Sequence, residues 1–125
     1  MRITDLNDFD ISLRLGRYAK QYNVNLTLIQ KTLYISFIKF CEEKGKYDEI
    51  KRRYYINLSV KEMVCEFKAG HTTVIKALKA LSGCGAINRV KSSLFKSSET
   101  VGINDKTQAF ITYINTDFLS DDKNI

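Results

Sequence analysis

Residues 59–90 read SVKEMVCEFKAGHTTVIKALKALSGCGAINRV, and this stretch decides the fold. Ser59 is followed three residues later by Glu62, a capping box in which the hydroxyl takes a first-turn N–H and the glutamate reaches back. A helix over about 60–67 then turns Val60, Met63, Val64 and Phe67 inward. Lys68, Ala69 and Gly70 make a tight break. A second helix over about 71–82 carries Val74, Leu78 and Leu81 as an inner stripe, with Ala77 permitting close approach. Gly83, Cys84 and Gly85 stop it, and Ile87 and Val90 open a strand that carries Asn88, Arg89 and Lys91.

Upstream, residues 26–44 repeat Leu26, Ile29, Leu33, Phe37, Phe40 and Cys41 at three- and four-residue steps, with Tyr34 and Ile38 widening the face. That is a helix broad enough to pack on more than one neighbour, ended by Glu42, Glu43, Lys44 and Gly45. GKYDEIKRR at 45–53 is a charged connection, and residues 54–58 are aromatic and β-branched, as a short strand is. Residues 1–24 are ambiguous. Ile11, Leu15, Tyr18 and Tyr22 fit a helix over about 11–22, while Phe9, Ile11, Leu13 and Leu15 fit strand alternation.

Downstream, the polar stretch 92–107 holds Lys96 and Lys106, with Gly102 as a turn residue. Phe110, Thr112 and Ile114 alternate with Ile111, Tyr113 and Asn115 in a strand over about 108–115 that can return beside a strand at 86–91. Residues 116–125 fade into an acidic tail. Two short helices with a glycine break, then a two-stranded ribbon, make a winged helix. The expected class is therefore α+β: one winged helix–turn–helix domain over 1–125, with additional N-terminal helices and a two- to three-stranded antiparallel wing sheet.

The chain has 125 residues, 44% of them hydrophobic, which is enough for a core without disulfides or metal. Formal net charge is +6. Arg2 against Asp5, Asp8 and Asp10 leaves residues 1–10 at −2, and Lys123 against Asp117, Asp121 and Asp122 leaves 116–125 at −2, so the middle holds +10. A basic body suits a polyanion or is merely a solvated surface; charge alone leaves both open. Cys41 and Cys65 read as small core residues, and Cys84, between two glycines, as more exposed. Three widely spaced thiols and no CxxC fit a reducing cytoplasm. A single histidine, His71, argues against zinc. No run of 18 apolar residues spans a membrane, and the acidic start is not a signal peptide.

A helix–turn–helix offers the N-terminal edge of its second helix to the major groove. Here that edge is His71, Thr72, Thr73 and Lys76, with Lys79 further along, and the wing adds Arg89, Lys91, Lys96 and Lys106 as phosphate-reaching types. The same residues also suit an ordinary polar helix face, and the threonines the helix end. No nucleophile motif, paired carboxylates or phosphate-cradling glycine loop appears, so the chain reads as a non-enzyme without cofactor or small-molecule substrate. The breadth of the 26–44 helix and the apolar N-terminal segment point to a homodimer on double-stranded DNA.

Residues 59–90 resemble a general winged-helix pattern: Thr73-Val74 opening the recognition helix, then Leu78-x-x-Leu81, a glycine and an isoleucine-led strand, with ITYINTDF at 111–118 as the return strand. More narrowly, the order over about 26–119 is similar to plasmid replication initiators of the RepA N-terminal-domain family. That order is a long apolar helix, a charged turn with Asp48, a YYINLS strand, the helix–turn–helix and the wing. The Gly-Lys-rich turn of that family's wing is not evident here, and residues 1–24 match no such pattern. Phage and plasmid repressors and replisome organisers share the general pattern. The resemblance implies origin-repeat binding and dimer formation. Transcriptional control, or a winged-helix module that binds protein and not DNA, are the alternatives.

Overall fold

The computed structural model describes residues 2–91 and 110–120. Four helices and a four-stranded antiparallel sheet follow one another as α1 (Asp8–Lys20), α2 (Leu28–Lys44), β1 (Lys46–Asp48), β2 (Arg53–Ile56), α3 (Val60–Phe67), α4 (His71–Gly83), β3 (Ile87–Lys91) and β4 (Phe110–Ile114). A 3₁₀ turn at Asp117–Leu119 follows. Strand order is β1-β2-β4-β3, so β4 lies between the strand before the two short helices and the strand after them.

Local chemistry sets the helix starts. The Ser59–Glu62 capping box forms as expected, Ser59 Oγ accepting from Glu62 N at 3.1 Å and Glu62 Oε1 from Ser59 N at 2.8 Å. A second capping box, Thr27 with Gln30, starts α2 two residues later than the apolar spacing suggested. Leu28 and Ile29 therefore occupy its first turn and stay exposed, at 73% and 58%, so Ile29 is not a core residue. Residues 8–20 are helical, which removes the strand alternative; Ile11, Leu15 and Ala19 are buried, and Tyr22 lies beyond the helix and is exposed. Lys68, in the left-handed region at φ 53°, ends α3, and Gly70 begins α4.

The buried face of α2 comprises Leu33, Tyr34, Ile35, Phe37, Ile38 and Cys41. It is used within the chain: α2 packs on α1, α4 and β2. By strand alternation and register, Ile56, Ile87, Thr112 and Ile114 share one face of the sheet, and all four are buried.

Three further expectations are corrected. The 45–53 connection contains β1, which pairs Tyr47 with Tyr54 and packs their rings 4.8 Å apart, so the sheet has four strands and not two or three. Residues 117–119 do not fade out: Phe118 stacks on Tyr18 at 4.4 Å and Leu119 is buried. The cysteines exchange places. Cys65 is exposed, on the side of α3 away from Met63, and Cys84 is buried, because Gly85 at φ +83° turns the chain back over it. Asn115 closes this corner, donating to Tyr18 Oη at 3.3 Å and to the Gly85 carbonyl at 3.0 Å, while its own carbonyl accepts from Tyr34 Oη at 2.5 Å. Among the described residues, no helix is long and apolar enough to cross a membrane.

Candidate nucleic-acid interface

Helix α4 has two opposed faces. Val74, Ala77, Leu78 and Leu81 are buried. Thr72, Lys76, Lys79 and Gly83 recur at four, three and four residues, which sets them in one stripe on the far side, and all four are exposed. The helix has no Asp or Glu and spans about 20 Å. His71 is exposed at its first position, a quarter turn off the stripe, and Thr73 is half-buried. Gly70 supplies no side-chain cap to the first-turn amides, so this end keeps its partial positive charge.

The ribbon residues are placed differently. Arg89 is half-buried: its Nε donates to Thr112 Oγ1 at 3.1 Å and its guanidinium lies 4.6 Å from the Phe110 ring centre. Burial lowers its pKa, yet a guanidinium stays charged at neutral pH. Arg89 thus stiffens the base of the ribbon and is not in the α4 stripe. Lys91 is exposed at the end of β3, opposite Phe110. Lys96 and Lys106, expected on the wing, lie outside the described residues.

Sequence reasoning missed a second basic cluster. A shallow cleft of about 270 Å³ between α1 and α2 gathers Arg17, Lys20 and Lys31 around Leu13, Val24 and Leu26, with no carboxylate in its lining. Gly16 lines it too, and Lys31 Nζ lies against it, 3.1 Å from where a Cβ would stand. The ion pairs Lys39–Asp8 and Arg53–Asp117 lie elsewhere. Nothing in the spacing of residues 13–31 signals this convergence, because it depends on the angle at which two helices pack.

The opposite end of the sheet has its own polar cluster. Asp48 Oδ1 accepts from the amides of Ile50 and Lys51, at 2.9 and 3.0 Å, and Tyr113 Oη donates to Asp48 Oδ2 at 2.8 Å. The register puts this β1–β2 turn beside Ile114, at the end away from the Lys91–Phe110 pair that leads to residues 92–109. Compared with family models, with curated proteins and with solved structures, the chain finds no match in any of the three, and the site is read from its own residues.

Proposed function

We propose that this chain is a winged helix–turn–helix that binds duplex DNA through α4 and catalyses no reaction. The observation that carries the reading is the acid-free stripe Thr72, Lys76 and Lys79, exposed along a helix whose opposite face is core. A 13-residue helix of this kind matches the major groove in width, and its hydroxyl and ammonium groups match base edges and phosphates. From α2 onward the order is helix, two strands, helix, helix, strand, strand, and the last strand, β4, lies between β2 and β3; this order supports the same reading. The role we assign is initiation of plasmid replication at origin repeats. It rests on the resemblance of residues 26–119, as does pairing with a second copy to meet repeated or palindromic sites.

Lys76→Ala tests the α4 surface, since Lys76 is exposed and its loss leaves the core intact. Binding to duplexes measured by fluorescence anisotropy should weaken. A phosphate contact would cut the salt slope by about one, and a base contact would cost about 1–3 kcal/mol on the cognate site only. Unchanged binding to both cognate and random duplexes would remove α4 from the interface.

A further inference from the structure

The α4 stripe does not end with α4. Gly83 is its last position, and the place a Gly83 Cβ would take lies 3.9 Å from Val24 Cγ2. Val24 is a wall of the cleft that holds Arg17, Lys20 and Lys31. The sequence of surfaces is therefore Thr72, Lys76, Lys79, Gly83 with Val24 beside it, and then the three cations. From one end to the other these residues include no carboxylate.

Like charges gathered without a counter-charge in the lining raise the local potential and favour an anion between them. A straight helix laid in a curving groove leaves it at its ends, where the elements beside it meet the phosphodiester backbone. We infer that the α1–α2 cleft is a second contact site on the same duplex, taking backbone phosphates beyond the C-terminal end of α4 through Arg17, Lys20 and Lys31. This rests on the proposal that α4 binds duplex DNA. The chemistry is mainly that of phosphate positioning: two ammonium groups and a guanidinium among apolar walls, with Asn25 the one amide of the lining, itself able to donate to a phosphate oxygen. The cleft adds affinity and salt dependence without adding sequence preference.

The test compares wild type with Arg17→Gln/Lys20→Gln/Lys31→Gln and with Lys76→Gln/Lys79→Gln. The readout is affinity against salt for random-sequence duplexes of about 20 and about 8 base pairs, α4 itself spanning about six base steps at 3.4 Å each. On the long duplex the cleft variant should lose about two to three from the salt slope, at about 0.9 per phosphate released. On the short duplex it should approach wild type, which also shows that it is folded. The α4 variant should be weaker on both. If the cleft variant keeps the wild-type slope on the long duplex while the α4 variant is weakened, the cleft is no contact site and the α4 reading stands. Equal weakening on both lengths also overturns the inference, because the cations then act only as diffuse charge. If wild type binds neither duplex, the α4 reading falls and the inference with it. Should the triple variant not fold, Lys20→Glu alone replaces it; Lys20 is exposed, and the charge reversal should flatten the long-duplex slope by at least one.

Discussion

At the residue scale, the Asp48–Tyr113 pair makes stability depend on pH from both sides. Hydrogen bonds from the Lys51 amide and then from Tyr113 hold the Asp48 carboxyl below its ordinary value. Burial, and then the bond to Asp48, push the Tyr113 phenol up to about 12. A depressed carboxyl stabilises the fold above its unfolded pKa, near 4, and that contribution is lost as pH falls through the folded value. A raised phenol contributes fully below about 10, and its share is lost as pH rises through 10 towards 12. Tyr113→Phe should therefore reduce the alkaline loss, the buried Tyr34 and Cys41 keeping their own shares, while leaving part of the acid loss, since the backbone bonds to Asp48 remain. Urea midpoints at pH 3, 7 and 11 read this out. An unchanged alkaline arm in the variant would mean that another group governs it.

Among the elements, α3 should be the most sensitive to its cap, because it is only eight residues long and Met63 alone of its side chains is fully buried. Ser59→Ala should cost about 1 kcal/mol, measured by urea unfolding. A cost near zero would mean that packing by Phe67 on Phe37 and Phe40 alone holds α3. This region was legible from the sequence because its signals are local. A serine three residues from a glutamate, a glycine break and a 3.6-residue apolar stripe are all read within a single turn. The second capping box, Thr27 with Gln30, is just as local, but the apolar run that begins earlier, at Leu26, masks it. β1 was not legible. Three residues, of which Lys46 and Tyr47 are exposed, become a strand only by pairing with Tyr54 and Tyr55. The stripe of the candidate site was readable from helical spacing. The cleft beside it was not, because Lys31 reaches it across a glycine on a different helix.

For the whole molecule, the breadth of α2 no longer argues for a partner, since α1, α4 and β2 cover it. Beside the resemblance, what is left to support pairing is the exposed apolar Phe9 of α1, at 72%. A homodimer formed there should sediment as such at tens of micromolar, and Phe9→Asp should convert it to monomer. A wild-type protein that stays monomeric with and without duplex would end the proposal of a symmetric pair.

The corner where Tyr18 meets Phe118, and where Arg14 donates to the Leu119 carbonyl at 3.1 Å across 105 residues, has a consequence for synthesis in time. A ribosome adds about 5–20 residues per second, so the first helix waits roughly 5–20 seconds for the residues that cover it. During that interval its tyrosine faces whatever else is near the tunnel exit. The last contact made is also among the longest in sequence, so the closing of this corner should be the late event of folding, and a stalled chain ending before residue 117 should remain open to proteolysis at its first helix.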